Sequence, residues 1–295
     1  MPVQFLTSEQ RAHYGRYAGD PSAEELARFF HLDDADHAAI GAKRGDHNRL
    51  GFALQLTTAR FLGTFLEDPL AVPDAVLQTL VRQLQVTNLD QLPRYRSVDQ
   101  RWEHTAEIRL RYGFREWADP MVGFRLCRWL YALCWTGTER PGVLFDRATT
   151  WLLAHKVLLP GCTTLERFVA RLRTHVEDRL WKRLGRGITD EQRTRLEDLL
   201  AVPPQGRGSW LDQLRSGPVR VSGRALVQAI QRLQTVCDLG IRLPAAGVPP
   251  SRLAALARFA GTAKVTAISR LPPVRRLATL VAFVHCLEAT AQDDV

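Results

Sequence analysis

The sequence has 295 residues, 45% of them hydrophobic and 24% charged, a composition that excludes a disordered chain and predicts two or three globular domains. Basic residues number 40 against 31 acidic ones, so the net charge of +9 favours a polyanionic partner. Only four of the basic residues are lysines. Because arginine pairs bidentately with phosphates and guanine edges, this bias suits DNA, although a GC-rich genome would produce it too.

The five cysteines are scattered and are never separated by only two residues. Neither a disulfide framework nor a zinc site is predicted, and a reducing compartment is expected. The N-terminus shows no signal-peptide pattern, and the longest apolar run, near residues 277–287, is too short to span a bilayer. We therefore expect a cytoplasmic protein without a membrane segment.

Helical periodicity dominates and no alternating strand pattern is present, so we predict an all-α fold, a multi-helix array of roughly a dozen helices. Thr7 or Ser8 is predicted to cap the first helix, and residues 20–22 to begin a second that continues through Phe30. Asp33 is predicted to cap a third. These three helices and the helix that follows them are predicted to form a compact helix-turn-helix-like unit.

Residues 43–56 join a polar, basic turn to a strongly apolar helix. Gly45 and Asp46 tolerate the bend, and Asn48 is predicted to accept hydrogen bonds from the first amides of that helix. Apolar residues occupy two opposite stripes, so the helix should be buried on two sides. Four cations are predicted to converge on its remaining edge, namely Lys43, Arg44, Arg49 and Arg60. The alternative is that the arginines pair with upstream acids, namely Asp33, Asp34 and Asp36.

Residues 92–96 form a predicted basic aromatic loop. Arg94 and Arg96 in this loop are suited to lie along a phosphate backbone, and a solvated connector is the alternative. The helix that follows has a glycine stop at Gly113. His104 in that helix is predicted to be a core or surface histidine, because no catalytic partner motif accompanies it.

A second helix-turn-helix outline is predicted between residues 141 and 183. It consists of a helix over 141–155, a hinge over 156–161 and a long helix capped by Thr163 or Thr164. One face of the long helix is apolar and carries Leu165, Phe168, Val169, Leu172, Val176 and Leu180.

The opposite face of the long helix carries arginine and threonine residues, namely Thr163, Arg167, Arg171 and Thr174. Arginine reaches guanine, and threonine offers a hydroxyl and a methyl group, so this stripe is typical of major-groove reading. The alternative is a solvated face on which the arginines bridge to Glu166, Glu177 or Asp178.

Residues 203–208, rich in proline and glycine, form the clearest predicted linker. Ser222 is predicted to cap a later helix whose inward residues are Leu226, Ile230, Leu233 and Val236. No stop signal closes the pattern at Val295, so we expect a chain cut off within a larger architecture. The predicted division is a DNA-binding module over 1–117, a second over 118–202, and a linker, dimerisation or scaffold region over 203–295.

Seven segments share one resemblance, and they are Phe30–Leu32, Asp36–Ile40, Lys43–Leu56, Ala59–Gly63, Glu103–Ile108, Tyr112–Arg115 and Trp151–Arg167. Together they resemble the N-terminal region of Tn3 family transposases, and the run from Asn48 to Leu56 is long enough to be fairly specific. The resemblance implies that this region recognises the terminal inverted repeats of a transposon. It also implies that a separate, more C-terminal DDE domain performs strand transfer.

No phosphate-binding glycine loop, hydrolase elbow, zinc-protease helix or nucleophilic cysteine setting is present in the sequence. No position matches the DDE residues, so we predict no catalytic residue, no metal ligand and no cofactor here. Mg²⁺ is expected only for the DDE domain that the resemblance places outside this chain. We therefore do not predict that this chain by itself is an active transposase.

The leading prediction is sequence-specific binding of double-stranded DNA at inverted repeats by tandem helix-turn-helix-like modules. Predicted phosphate contacts are Lys43, Arg44, Arg49, Arg94 and Arg96, with Asn48 and Arg60 beside them. Predicted base contacts are Thr163, Thr164, Arg167 and Arg171, with Thr174 on the same face. A homodimer is compatible with this prediction. The alternatives are a helical interaction scaffold that does not read DNA and a catalytic fragment that requires a metal.

Overall fold

The computed structural model describes residues 5–97, 99–204, 206–217, 222–243 and 247–293. Within these residues it contains fifteen α-helices, one 3₁₀-helix and no strand, and an isolated bridge joins Arg115 to Val157. The predicted all-α fold is confirmed. Gln205 of the predicted linker and the predicted open end at Val295 lie outside the described residues.

The helices follow one another along the chain as α1 (Ser8–His13), α2 (Ala23–Phe29), α3 (Asp34–Gly41), α4 (Asp46–Leu62), α5 (Asp74–Leu84), the 3₁₀-helix (Leu92–Arg96), α6 (Gln100–Tyr112), α7 (Pro120–Thr136), α8 (Pro141–Ala154), α9 (Cys162–Leu184), α10 (Asp190–Asp198), α11 (Trp210–Arg215), α12 (Gly223–Asp238), α13 (Pro250–Thr262), α14 (Val265–Ser269) and α15 (Pro273–Asp293).

The chain divides into two compact units. The first unit comprises Met1–Leu130 and Arg140–Ala170, and the second comprises Tyr131–Glu139 and Arg171–Val295. These boundaries differ from the predicted ones after residues 117 and 202. The functional roles predicted for the three sequence regions stay predictions.

Short polar caps explain where many of the helices begin. Thr7, Ser22 and Asp33 each accept a hydrogen bond from the amide three residues later, and in each case the side chain at that position bonds back to the cap. Thr189 and Ser209 form the same capping box in the second unit. Such caps satisfy amides that the helix itself leaves unbonded, so the helix starts follow from local sequence.

The first unit is built around α4. This helix packs against α2, α3, α5, α6 and the 3₁₀-helix, and every residue from Leu50 to Ala59 is buried. The prediction that α4 is covered on opposite sides is confirmed. Apolar burial on this scale is the main favourable term that holds the unit together.

The predicted cap of α4 was wrong. The N-cap is Gly45, whose φ of 80° favours glycine, and no side chain caps the helix. Asn48 lies inside the first turn, and its side-chain Nδ2 donates to the Arg44 carbonyl oxygen at 3.0 Å. Because the turn closes two residues earlier than expected, Asn48 acts as a donor to the preceding loop.

The predicted basic aromatic loop is a 3₁₀-helix whose Tyr95 is buried in the first unit. The Tyr95 hydroxyl lies 2.8 Å from Nδ1 of His104 and accepts a hydrogen bond from Gln55 at 3.0 Å. His104 is thus a core histidine, one of the two predicted roles. Burial, with the positive charge of nearby Lys43, lowers the pKa of His104 to about 4.

The second unit is built around α15. This helix packs against α10, α12 and α13, and Ala278, Leu280, Val281 and Val284 along it are buried. None of the helices in the described residues combines the length and the apolar composition that a membrane crossing requires.

Helix α12 presents a different face from the predicted one. Ser222 caps it and Val236 is buried as predicted, but Leu226 and Ile230 are 47% and 38% exposed. Ala225 and Ala229 take their place in the core. Apolar residues surround more than half of this helix, so the helical wheel alone did not decide which face would pack.

The predicted linker connects α10 and α11 within the second unit. The Trp210 amide donates to the Ala201 carbonyl at 3.1 Å, and the Leu211 amide donates to the Leu199 carbonyl at 2.7 Å. Leu199 and Leu211 belong to the same core cluster. The proline and glycine residues therefore make a turn inside one unit, and they do not separate the two units.

Candidate nucleic-acid interface

Helix α9 begins at Cys162, one residue before the predicted caps. Thr163 and Thr164 consequently lie in its first turn, where both side chains are exposed. The Thr164 amide donates to the Gly161 carbonyl at 2.8 Å. The capping prediction for both threonines was wrong, and the correction leaves two exposed hydroxyls at the positive end of the helix dipole.

The two faces of α9 differ as predicted. Leu165, Val169, Leu172, Val176 and Leu180 are buried, and Phe168 is half-buried with its ring 5.4 Å from that of Trp117. The opposite face is exposed and carries Thr163, Thr164, Arg167, Arg171 and Thr174. The structure therefore places all five predicted residues on the outward side of one helix.

Two of the three carboxylates that were alternative partners for this face are engaged elsewhere. Glu166 is 1% exposed and is paired with Arg11, and Glu177 is paired with Arg173 at 2.9 Å. Asp178 is exposed. Neither Arg167 nor Arg171 makes an ion pair with any residue that the structure describes. The alternative of a face neutralised by local salt bridges is therefore not what the fold contains.

Glu166 is a structural anchor that the sequence did not reveal. Arg11 Nη2 lies 2.7 Å from Oε1 and 2.5 Å from Oε2 of Glu166. The amides of Phe5 and Leu6 also donate to Oε1, at 2.8 and 3.3 Å. This carboxylate fastens the N-terminal segment to the first turns of α9, next to Arg167. No signal in the sequence connects residues so far apart in the chain.

Arg60 faces inward, so the predicted convergence of four cations was wrong for this residue. Its Nη1 and Nη2 atoms lie 2.8 and 2.6 Å from the carboxylate oxygens of Asp36, whose side chain is 1% exposed. Burial is the largest influence and raises the pKa of Asp36, but the hydrogen bonds from Arg60, Tyr112 and the Asp33 backbone, together with the positive charge of Arg60, hold the pKa below its usual value. The alternative prediction, pairing with an upstream acid, is correct here.

The other three cations of the predicted edge differ in exposure and in whether an acidic side chain pairs with them. Lys43 is mostly buried, pairs with Glu107 and lies 4.8 Å from the ring centre of Phe52. Arg49 donates to Asp46 at 3.1 Å and to the Leu84 carbonyl at 3.3 Å. Arg44 is exposed and forms no ion pair within the described ranges.

The two arginines of the 3₁₀-helix are both exposed. Nε of Arg96 lies 3.1 and 3.0 Å from the carboxylate oxygens of Asp68, and this hydrogen bonding lowers the pKa of Asp68. An ion pair this exposed contributes about 0–1 kcal/mol, so a phosphate can compete for the arginine. Arg94 has no ion-pair partner in the described part of the chain.

A second basic cluster, which sequence reasoning missed, lies along the C-terminal half of α9 and just beyond it. Its basic members line one groove together with a single acid, Asp178. They are His175, Arg179, Lys182, Arg183 and Arg186. The recurrence of cations at intervals of three and four residues is the signal that would have found it. Among the described residues, no group of His, Cys, Asp and Glu side chains is placed to hold a metal ion.

Comparison with known proteins places this arrangement in a family. The model of a family described as "Domain of unknown function (DUF4158)" matches residues 5–172. The chain is 48% identical over 296 residues to the transposase for transposon gamma-delta of Escherichia coli strain K12, an alignment that covers 100% of this chain and 30% of that protein.

Two further relatives are the transposases for transposon Tn21 of Escherichia coli and transposon Tn501 of Pseudomonas aeruginosa. Each is 31% identical to this chain, over 93% and 92% of its length respectively, and the alignments cover 28% and 27% of those proteins. The chain thus spans less than a third of the length of these curated relatives. It belongs to the DUF4158 family, and it is homologous to part of the Tn3-family transposases that its motifs resemble.

Proposed function

We propose that this chain binds duplex DNA at the terminal inverted repeats of a Tn3-type transposon through the exposed face of α9. In this proposal it is the DNA-recognition part of a transposase, and it positions a separate DDE domain that performs strand transfer. One observation carries the proposal. Arg167 and Arg171 stand exposed, without an ion pair in the described residues, on a helix whose opposite face is buried. The names of the relatives, all transposases, support DNA as the partner.

The chemistry of this face suits reading of base edges. An arginine can donate two hydrogen bonds to O6 and N7 of guanine, and threonine can contact a thymine methyl group or donate from its hydroxyl. Each well-placed bidentate contact discriminates against the wrong base by about 1–3 kcal/mol. Because Arg11 neutralises the buried Glu166, the carboxylate next to Arg167 in the sequence does little to weaken the positive field of Arg167. The use of α8 and α9 as a helix-turn-helix pair is part of the same proposal.

Phosphate contacts in the first unit are assigned to Arg44 and Arg94, which are exposed and unpaired in the described structure. Lys43, Arg49 and Arg96 must exchange a protein partner for a phosphate, so their contribution should be smaller. Arg60 and Asn48 serve the fold instead. The first holds a buried carboxylate, and the second bonds to the loop before α4.

The test compares binding to a labelled inverted repeat with binding to a scrambled duplex of equal length. Replacing Arg167 by alanine should weaken binding to the repeat about tenfold or more and change scrambled-duplex binding much less. Replacing Arg44 by alanine should weaken both by a similar factor, because a phosphate contact carries no base information. Identical profiles for the two variants would contradict the division of roles. Equal affinity of the wild type for both duplexes would contradict sequence-specific reading.

A second candidate function is self-association as a helical scaffold, which the exposed apolar face of α12 favours. Leu226, Val227 and Ile230 on this face are 47%, 52% and 38% exposed, and they lie on one side of the helix. Sedimentation without DNA tests the idea. Replacing Leu226 and Ile230 by aspartate should convert a wild-type dimer into a monomer, whereas a monomeric wild type at high concentration contradicts it.

A further inference from the structure

The groove in the second unit has the composition of a polyanion site. Its volume is about 420 Å³, and its six lining residues include three arginines, one lysine and a single carboxylate. We infer that this groove binds the phosphodiester backbone of duplex DNA. The inference rests on the proposed function and adds to it a contact region separate from the exposed face around Arg167.

The cations that carry this inference are not neutralised by ion pairs within the described structure. Arg179, Lys182 and Arg186 are exposed, and none of them makes an ion pair there. The guanidinium of Arg179 lies 5.7 Å from the ring centre of Tyr131, a contact that leaves its charge uncompensated. Asp178, the one acid of the lining, is exposed and also lacks an ion-pair partner there. The groove therefore keeps an excess of positive charge.

Helix stability alone does not explain this charge pattern. Cations in the last turn of a helix interact favourably with its dipole, by about 0.3–1 kcal/mol each, which accounts for Lys182 and Arg183. Arg179 lies before that last turn, and Arg186 lies beyond the helix end at Leu184. Neither gains much from the dipole, because the effect is confined to the last turn.

The spacing of the cations matches a DNA backbone. The amide of Arg186 donates to the Arg183 carbonyl at 3.2 Å, so the chain continues to turn after α9. Residues 179, 182 and 186 then lie on one side of the turn, over roughly 10 Å at the rise of an α-helix. Successive phosphates of one DNA strand advance by roughly 3.4 Å, so the cluster covers two or three of them. Such contacts fix position and raise affinity without reading sequence.

The experiment measures binding of the whole chain to the inverted repeat and to the scrambled duplex over a range of salt concentrations. The groove variant replaces Lys182 and Arg186 with glutamine. It should bind both duplexes more weakly by a similar factor, and the slope of log affinity against log salt should fall in magnitude by about two. The preference for the repeat should remain as in the wild type.

Two controls make the result specific. Replacing Arg224 and Arg258 with glutamine removes the same charge from exposed positions of the second unit that do not line the groove, and it should leave the slope unchanged. Exchanging the groove residues as Lys182→Arg and Arg186→Lys keeps the charge and should keep the wild-type slope. Circular dichroism and thermal melting establish that each variant is folded.

The outcomes separate this inference from the proposed function. The inference that the groove binds the DNA backbone is overturned if the salt slope of the groove variant is unchanged. It is also overturned if the slope falls equally in the Arg224 and Arg258 control. In both cases the proposed function stands. Failure of the wild type to bind DNA overturns both. Tighter binding to duplex RNA than to duplex DNA, lost in the groove variant, would assign the groove to RNA and overturn the inference.

Discussion

Gly51 of α4 lies directly against the ring of Tyr95. A Cβ atom at position 51 would lie 2.5 Å from ring carbons, closer than two carbon atoms can approach without a shift of the structure. The ring cannot retreat easily, because its hydroxyl is held by Gln55 and His104 in the core. This contact brings the 3₁₀-helix onto the central helix of the first unit.

Replacing Gly51 with alanine should therefore destabilise the chain. Overpacking of a well-filled core costs about 1–3 kcal/mol, which exceeds the gain of up to about 1 kcal/mol from better helix propensity. Urea unfolding followed by circular dichroism measures the change. Gly41→Ala is the matched control, because nothing lies within 4 Å of a Cβ at that helical position. The control should be neutral or slightly stabilising, and equal effects for the two variants would contradict the packing argument.

Replacing Glu166 with glutamine should lower the free energy of unfolding by about 2 kcal/mol. The substitution leaves the Arg11 guanidinium, which donates two hydrogen bonds to Glu166, without its negative partner in a largely buried setting. Glu177→Gln breaks a more exposed pair with Arg173 and should cost under about 1 kcal/mol. A larger loss for Glu177→Gln than for Glu166→Gln would show that the Glu166 anchor is unimportant.

Two arginines of α9, two residues apart, should differ in their effect on DNA binding. Arg171 is exposed and unpaired within the described residues, whereas Arg173 is held by Glu177. Arg171→Ala should weaken binding to the inverted repeat about tenfold, and Arg173→Ala should change it less than about threefold. Fluorescence anisotropy at fixed salt concentration measures both. If Arg173→Ala has the larger effect, the outward face of α9 is not the recognition surface.

The stability of the first unit should fall as the pH is lowered from about 6.5 to about 4. Burial lowers the pKa of His104 in the folded chain to about 4, whereas the unfolded chain takes up the proton near 6.5. Between these values only the unfolded state binds this proton, so acid favours unfolding. The full stabilising contribution of the neutral His104 is therefore present above about pH 6.5. Unfolding free energies across this range measure the slope.

The His104→Gln variant is the comparison for that experiment. It should be less stable at neutral pH, because the hydrogen bond to Tyr95 is altered, but its stability should depend less on pH over the same range. The remaining histidines are common to the wild type and the variant, so their effects cancel when the two pH profiles of unfolding free energy are subtracted. Parallel pH profiles would mean that His104 titrates normally in the folded chain.

Local sequence determined the helical class and many helix boundaries. The caps at Thr7, Ser22 and Asp33 were readable because each side chain accepts a hydrogen bond from an amide only three residues away. The buried character of α4 and the two faces of α9 were also readable, since helical spacing places side chains on faces regardless of what packs against them. Recognition of the family depended on the same local motifs, above all the run from Asn48 to Leu56.

Tertiary structure alone decided which charged residues pair and which remain exposed. Nothing in the sequence distinguishes Arg60, bound to buried Asp36, from Arg44, which is free in the described structure, or predicts that Arg11 holds Glu166. Packing also turned Tyr95 inward and the larger apolar residues of α12 outward. The physical reason is that a helical repeat fixes directions within one element. The partner of a long side chain depends on which distant element arrives beside it and on whether water is excluded there.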